Sequence, residues 1–396
     1  MNKPTTQTRS QGGPPTRARR AAGKRSPAPA RTPARLAAFG PAARLRRPRV
    51  LAVVALCAAA LALPQVLPAS DVPVLVTLLL SAIVVTGLSM LMGYAGQISL
   101  GHAAFYLIGA YTAALLATHG RPTWLGLAAA PLAAAVVAAV IGVPLLRLRG
   151  HQLAFATLAM QLILLNVVGQ QEWTGGDIGL QGVPRLTVAG YEFSSATSYA
   201  YLTLAALALV VIVTRNVVAS RPGRGLRALA TSEVAAESAG VPVVAYKLAV
   251  FSLSAGFAGL AGGIYAFYTG YLAPGSFPVL LSFEFVVMAV IGGLGTVWGA
   301  LAGAAVITLL LQELNELGTA EGMPGSAPAV LSYAVYGLLL VLVVLYLPRG
   351  LVPSATAWWE RRRARRRSGG PHDDSPAAGA GAGRGADAGA AAGKGT

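Results

Sequence analysis

The feature that most constrains this chain is a series of apolar runs, each about 20 residues long and thus able to cross a hydrocarbon layer roughly 30 Å thick. Of all residues 55% are hydrophobic and only 11% are charged. Because backbone groups in lipid must form hydrogen bonds within their own segment, we predict an all-α polytopic membrane protein with about ten transmembrane or re-entrant helices. The predicted spans are Val50–Leu67, Val72–Leu91, Ser99–Thr118, Pro122–Leu146, Gln152–Val168, Ser198–Thr214, Leu248–Thr269, Val279–Ile291, Val297–Leu311 and Ala327–Leu347, of which the eighth and ninth are short.

The basic residues indicate how the chain is oriented. Of the 31 Lys and Arg residues, only Arg121 and Arg185 fall outside the segments that a cytoplasmic N-terminus would place inside the cell. Positive residues concentrate on the cytoplasmic side of membrane proteins, so both termini are predicted to be cytoplasmic and the location to be the plasma (inner) membrane. The net charge of +17 then lies mostly beside anionic membrane lipid, and nucleic acid is not an expected partner.

Composition divides the chain into a membrane domain and two tails. Residues 1–49 are basic and rich in Pro, Ala and Thr, and residues 354–396 end in Gly/Ala low complexity, so both are predicted to be disordered cytoplasmic tails. Residues 50–353 form the predicted membrane domain, with a cytoplasmic segment at 215–247. The single cysteine, Cys57, excludes a disulfide framework. No catalytic set, metal site, bound cofactor or complete phosphate loop is predicted in this chain.

Two apolar segments are interrupted by glycines at corresponding positions. A broken helix leaves backbone dipoles free to hold a solute, and paired breaks in two halves of a chain point to a transport site. The alternative is close helix packing at small residues, with Gly299 and Gly303 as a GxxxG pair. Both interpretations stay open from the residues alone. The breaks fall at Gly93, Gly96 and Gly101 in the first segment and at Gly292, Gly295 and Gly299 in the second.

A few polar residues lie within these apolar segments. Gln97, Ser99 and His102 bring polar groups to the start of a predicted helix, where His102 is either a packed, hydrogen-bonded side chain or a proton carrier. Glu284 is the one carboxylate inside a predicted span. A charge there is costly, so Glu284 either faces a cavity, where it can meet the ammonium group of a solute, or reaches headgroup water. The predicted solute pathway comprises Gly93, Gly96, Gln97, Ser99, Gly101, His102, Glu284, Gly292 and Gly295.

A polar island, Ala230–Lys247, separates two apolar runs on the predicted cytoplasmic side. Ser232 can cap a helix N-terminus and Gly240 suits the position after its C-terminus, which predicts a helix of about two turns. A helix this short is not stable alone in water. It is expected to dock on a partner protein or, alternatively, to lie on the membrane surface as a connector. Its small face consists of Ala235, Ala236 and Ala239.

The predicted outer loops are acidic. This face either docks a soluble extracytoplasmic partner or is the ordinary counterpart of a basic inner face, and the sequence favours neither. The acidic residues are Glu172, Asp177, Glu192, Glu313, Glu316 and Glu321, against Arg185.

Several stretches, in order, resemble the branched-chain amino acid permeases of ABC importers, specifically the LivM type. The island "SEVAAESAGVPVVAYK" resembles the EAA loop of these permeases, and the resemblance covers roughly residues 72–352. The other stretches are "GYAGQISLGHAAFYLIGAY", "RLRGHQLAFATLAM", "TGGDIGLQGVP", "GRGLRALATSEVAAESAGV", "FEFVVMAVIGGLGTVWGALAGA" and "PRGL".

The resemblance implies a transport subunit rather than an enzyme. It implies ATPase subunits that use ATP and grip the cytoplasmic helix, a second homologous permease, and an extracytoplasmic substrate-binding protein. By resemblance, Ala235, Ala236 and Gly240 contact the ATPase, flanked by Arg224 and Arg227. One departure from the general EAA pattern is that the acid lies one position early, at Glu233. This shift is usual within the LivM type, so the resemblance still implies a coupling role that includes Glu233. The expected solutes are branched-chain or similar small polar amino acids, and the alternative is a secondary transporter driven by an ion gradient.

Overall fold

The computed structural model describes residues 60–148 and 150–318, together with the single residues 334, 337 and 338. Residues 60–66 are helical, and ten further helices follow in these ranges. They are α1 (Val72–Ala95), α2 (His102–Thr118), α3 (Thr123–Leu145), α4 (His151–Gln170), α5 (Ala196–Ala219), α6 (Arg221–Thr231), α7 (Glu233–Ser238), α8 (Val243–Thr269), α9 (Val279–Gly292) and α10 (Val297–Gly318).

The predicted fold class is confirmed. Seven helical segments in the described part are long and apolar enough to cross a membrane, one of them made of α9 with the 3-10 turn Pro274–Ser276 before it. Helix α2 is apolar but has only 17 residues. Most of the first predicted span, Val50–Leu67, and nearly all of the last, Ala327–Leu347, lie outside the described residues, as do both predicted tails.

Helix α8 lies at the centre of the bundle and packs against α1, α2 and α3. Small residues allow this close approach, as is usual between helices in lipid. A Cβ on Gly109 of α2 would collide with the backbone of Gly259 in α8, and a Cβ on Gly259 would lie 2.7 Å from the Ala130 carbonyl oxygen of α3. The buried face of α3 is one stripe of small residues at every fourth position: Gly126, Ala130, Ala134, Ala138 and Gly142.

Several predicted boundaries were wrong because helices continue past their apolar residues. Helix α10 extends to Gly318 through Gln312 and Glu316, which are good helix formers that the apolar pattern excludes. The ninth span is therefore not short, whereas α9 is short, with 14 residues. The predicted loop 215–247 is itself largely helical, since α5 runs to Ala219 and α8 begins at Val243.

The longest predicted outer loop has a defined structure. It contains the 3-10 turn Glu172–Thr174 and a two-stranded hairpin, β1 (Thr187–Val188) with β2 (Tyr191–Glu192). Leu180 forms an antiparallel bridge with Leu272, in the connection between α8 and α9, through hydrogen bonds of 2.7 and 3.0 Å. The loop is thus fastened by main-chain bonds to a neighbouring connection.

Candidate functional site

The two glycine breaks touch each other. A Cβ on Gly93, near the end of α1, would collide with the backbone nitrogen and Cα of Gly295, which lies between α9 and α10. The Tyr94 hydroxyl donates to the Gly295 carbonyl oxygen at 3.0 Å. The Gly295 N–H lies 3.1 Å from both the carbonyl and the hydroxyl oxygen of Ser89. Two segments about 200 residues apart therefore meet backbone to backbone.

The correspondence between the two breaks holds at two of its three positions. Gly96 and Gly295 both adopt left-handed backbone, with φ of 63° and 73°. Gly96 directly follows the end of α1, as Gly commonly does, whereas Gly295 lies three residues beyond the end of α9. Gly93 and Gly292 both lie in the last turn of their helices. At the third position Gly101 immediately precedes α2, whereas Gly299 lies inside α10.

Close packing explains other glycines of the predicted pathway. A Cβ on Gly292 would collide with the Gly299 carbonyl oxygen, and one on Gly303 with the carbonyl oxygen of Met288. The GxxxG pair of α10 thus seats that helix directly against α9. A Cβ on Gly101 would likewise collide with the Thr157 carbonyl oxygen in α4.

The chain between α1 and α2 is non-helical and partly buried inside the protein. With 17 residues, α2 is about 25 Å long, less than the roughly 30 Å of hydrocarbon. The predicted span that began at Ser99 therefore starts later, at His102, because Gly96 and Gly101 interrupt the helix. Gln97 and Ser99 are buried, 4% and 1% exposed. Irregular backbone at membrane depth is tolerated only where protein or a water-filled cavity surrounds it.

His102 is a packed, hydrogen-bonded side chain. It is fully buried, with Nδ1 3.0 Å from the Ser99 hydroxyl and Nε2 2.8 Å from the hydroxyl of Ser254 in α8. Its ring meets Phe105 edge to face, with centroids 5.9 Å apart. Both ring nitrogens are thus occupied by hydroxyl groups, which supports a packing role rather than proton carriage.

The start of α2 is capped by side chains from other helices. The Leu100 N–H donates to the Thr157 hydroxyl at 3.0 Å, and the Ala103 N–H donates to the Ser282 hydroxyl at 2.9 Å. Ser282 in turn donates to Gln161 Oε1 at 2.7 Å. Thr157, Gln161 and Ser282 are fully buried. The Ala103 bond satisfies one of the N–H groups that a helix start leaves without an intrahelical partner, and the Leu100 bond holds the chain just before the helix.

A cavity of about 680 Å³ joins the first glycine break to the polar island. Gly93, Gly96 and Gln97 border it on one side, and Glu233 and Lys247 border it on another. Gly96 leaves open space where a Cβ would lie, and the Gln97 Oε1 atom has no hydrogen-bond partner in the described part of the chain. The exposed Arg147 also lines this cavity, so its wall carries charges of both signs.

The two-turn helix of the island is confirmed as α7, Glu233–Ser238. The Ser232 hydroxyl accepts from the Ala235 N–H at 3.3 Å, and Gly240 has the left-handed φ of 80° expected after a helix end. Val234 is 77% exposed, and Ala235 is exposed as well. The helix thus presents a small apolar surface to its surroundings.

One of the predicted contact residues is buried within the subunit. Ala236 is only 1% exposed, because α7 turns this side chain toward the rest of the chain. Glu233 forms an ion pair with Lys247 of α8, with 2.8 Å between Oε2 and Nζ. The side chain of Lys247 is 18% exposed and that of Glu233 48%. Glu233, which the resemblance places at the ATPase contact, thus also links α7 to α8 through this ion pair.

Helix α6, which was not predicted, positions the island. Leu226 and Leu229 are buried and anchor it, while Arg224 and Arg227 are exposed. Arg227 Nη1 donates to the Val218 carbonyl oxygen at 2.9 Å and so satisfies the C-terminal end of α5. Both arginines of the predicted contact lie one turn apart on the surface beside α7.

Glu284 lies elsewhere, in a second cavity of about 460 Å³ formed by α1, α9 and α10. It is half-buried. The predicted pathway residues therefore divide into four groups: Gly93, Gly96 and Gln97 line the first cavity, Ser99 and His102 belong to the buried network, and Glu284 lies by itself. The fourth group, Gly101, Gly292 and Gly295, lies in close backbone packing. Among the described residues, no group of three or more His, Cys, Asp or Glu side chains could hold a metal ion.

The sequence did not single out the network partners Thr157, Gln161, Ser254 and Ser282. A usable signal existed for Gln161, since a carboxamide in the middle of an apolar helix needs a partner within the protein. The pairing of Gly93 with Gly295 left no local signal.

Known proteins resemble this chain over most of its length. The family described as "Branched-chain amino acid transport system / permease component" matches residues 72–344. The chain is 31% identical over 331 residues, 76% of this chain and 75% of the relative, to the high-affinity branched-chain amino acid transport system permease protein LivM of Salmonella typhimurium, and equally to that of Escherichia coli. A probable LivM permease of Methanocaldococcus jannaschii is 26% identical over 224 residues, 55% of this chain and 64% of that protein. No solved structure matches.

The match and the fold agree with each other. The matched region begins at the first residue of α1 and includes both glycine breaks and the island. The family match and the seven apolar helices together confirm the predicted location: the chain is a multi-pass protein of the plasma (inner) membrane. The chain belongs to the family of permease components of branched-chain amino acid transport systems.

Proposed function

We propose that this chain is one permease subunit of an ATP-driven importer that moves branched-chain or similar small polar amino acids into the cell by alternating access. The observation that carries the proposal is the cavity shared by Gly93, Gly96 and Gln97 with the island residues Glu233 and Lys247. A displacement of α7 would act on the wall of a cavity that reaches the broken end of α1. This is the connection that an externally driven transporter needs.

Separate ATPase subunits supply the drive. The exposed Val234, Ala235 and Gly240, flanked by Arg224 and Arg227, form the surface that seats in an ATPase cleft. Closure of two ATP-bound ATPases would push α7, and α6 and α8 would carry that movement to the cavity. A second homologous permease completes the membrane pathway, and a soluble binding protein delivers the amino acid to the outer face. ATP is used by the partner chains and not by this one.

Replacing Gly240 with Val tests the coupling role. The substitution introduces about 1–2 kcal/mol of backbone strain at φ 80°, without a steric clash, since nothing lies within 4 Å of an added Cβ. We expect the chain to insert normally, while the amount of solute taken up per ATP hydrolysed falls roughly 5- to 30-fold, the factor that corresponds to this energy. The measurement is uptake and ATP hydrolysis by the complete importer in proteoliposomes.

Gly120→Val is the matched control. Gly120 has φ of 74° and open space around it, but it lies between α2 and α3, on the predicted outer side. It should leave the ratio of uptake to ATP hydrolysis unchanged. Equal effects of the two variants would contradict a coupling role for α7. A secondary transporter driven by an ion gradient would accumulate solute without any ATPase, and purification in mild detergent would recover no ATPase subunit with it.

A further inference from the structure

An apolar groove of about 390 Å³ lies between the end of α5, the start of α6 and the first half of α8. Small side chains on α8 leave room for it, since the exposed Ala245 and Ala249 line the groove together with Leu253. These three residues recur at every fourth position and therefore share one face of the helix. Eight residues of helix rise about 12 Å, so the groove follows α8 over that length.

The groove enters the membrane from the predicted cytoplasmic side. Helix α8 is long and apolar enough to cross a membrane, and Tyr246 lines the groove in the first turn of this helix. Tyrosine is enriched where membrane meets water. Helix α6 buries Leu226 and Leu229, exposes its arginines and contains no acidic residue, which is the pattern of a helix at the membrane surface. The mouth of the groove thus lies at the level of the lipid headgroups, and its inner end lies in hydrocarbon.

The size of the groove decides between another helix and a lipid acyl chain as its occupant. A 12 Å length of α-helix, 10–12 Å wide with its side chains, occupies roughly 900–1,400 Å³. This is more than twice the 390 Å³ of the groove. An acyl chain is narrower than a helix, and each methylene group that it buries raises its affinity about fourfold. The groove therefore suits an acyl chain.

A basic side chain lies at the mouth of the groove. Arg221 is exposed and lies between two residues that line the groove, Ser220 and Pro222. Neither of the two ion pairs found among the described residues includes Arg221. No acidic residue lines the groove within the described part of the chain. A guanidinium group at headgroup level attracts anionic lipid, and it can bind a phosphate through two parallel hydrogen bonds.

We infer that this groove binds one anionic phospholipid of the inner leaflet, with an acyl chain along α8 from Ala245 to Leu253 and its phosphate at Arg221. The inference goes beyond the proposed function and does not depend on it, since lipid occupies the groove whether or not an ATPase drives the chain. Helix α7 packs against both α6 and α8. The lipid thus joins the two helices that support α7.

Photocrosslinking in vesicles tests the site. The complete importer is placed in phosphatidylcholine vesicles that contain a small fraction of phosphatidylglycerol with a photoreactive diazirine midway along one acyl chain. Mass spectrometry of the crosslinked peptides should place this lipid on Val217 of α5 and on Val250 or Leu253 of α8. The same diazirine on phosphatidylcholine should label these segments about fivefold less, the factor that corresponds to one basic residue beside an anionic lipid. Inorganic phosphate should not displace the lipid, because it lacks an acyl chain.

Two substitutions separate the charge from the groove. Arg221→Gln should remove the fivefold preference for phosphatidylglycerol, whereas Arg215→Gln, which removes an exposed arginine of α5 outside the groove lining, should change it by less than about twofold. Ala249→Phe fills the groove and should reduce crosslinking with either lipid at least about tenfold, since excluding two methylene groups already has this effect. Ala208→Phe adds the same ring to an exposed position of α5 outside the groove lining and should not reduce crosslinking.

The inference is overturned if crosslinks are absent from these segments in the complete importer, as they would be if a second permease covered the groove. Equal labelling by the two lipids, or an unchanged preference after Arg221→Gln, would also overturn it. So would equal effects of Ala249→Phe and Ala208→Phe. Loss of ATP-driven uptake in an importer that still gives the expected crosslinks would refute the proposed function alone.

Discussion

The contact between the two glycine breaks predicts a large effect for a small substitution. Gly93→Ala would place a methyl group against the backbone of Gly295, where no side-chain rotation relieves the clash. Overpacking typically costs about 1–3 kcal/mol. Separating the segments also weakens the hydrogen bonds that the Tyr94 hydroxyl and the Gly295 N–H form, each worth about 0.6 kcal/mol in a membrane protein.

One term acts in the opposite direction, since Ala is favoured over Gly within a helix by roughly 1 kcal/mol. The net expectation is a loss of about 1–3 kcal/mol in the free energy of unfolding. The assay is unfolding of the purified chain in mixed micelles by increasing SDS, followed by circular dichroism. Gly275→Ala is the control, because an added Cβ there meets nothing within 4 Å and its backbone is not left-handed. If Gly93→Ala and Gly275→Ala differ by less than about 0.5 kcal/mol, the usual range for neutral surface changes, the two breaks are not in contact.

Two further substitutions test the polar contacts by the same SDS titration. Ser282→Ala removes the hydroxyl shared by the Ala103 N–H and Gln161 Oε1. The free energy of unfolding should fall by at least about 2 kcal/mol, since each buried group left without a partner costs roughly 1–3 kcal/mol. A loss no greater than that of the exposed Ser194→Ala would contradict the network. Glu233→Gln removes the ion pair with Lys247. Because Glu233 is half-exposed, the loss in the free energy of unfolding should stay below about 1 kcal/mol and shrink in high salt. A salt-independent loss equal to that of Glu237→Gln would argue against the pair.

The sequence predicts what is local and misses what is distant. Ser232 and Gly240 delimit α7 correctly because caps act within a few residues of a helix end. The helix breaks predicted at Gly96 and Gly295 are likewise local, because glycine tolerates the left-handed backbone found there. Their meeting, by contrast, depends on how helices far apart in the chain assemble, and local patterns carry no information on that. Spacing alone also cannot decide which face of a two-turn helix is exposed, which is why the burial of Ala236 was not predicted.

Helix ends were the least predictable part of the membrane domain. Apolar patterns indicate which residues lie in lipid, whereas a helix ends where its backbone hydrogen bonding ends. Helix α10 therefore passes beyond Leu311, and α5 passes beyond Thr214. The same limit hid α6, which lies outside the apolar runs. The glycines differ in their surroundings, since Gly292 and Gly303 serve helix packing while Gly96 borders a cavity.

The main-chain bridge between Leu180 and Leu272 has a thermodynamic consequence for any protein that binds the predicted outer face. Ordering a free loop costs about 1–2 kcal/mol for each residue that becomes fixed. Here much of that cost is already met within the subunit, by the bridge and by the hairpin that follows it. A soluble protein that binds this face would therefore meet a loop surface that is already ordered. It would lose little affinity to loop ordering, so that its recognition would depend on how well the two surfaces fit in shape.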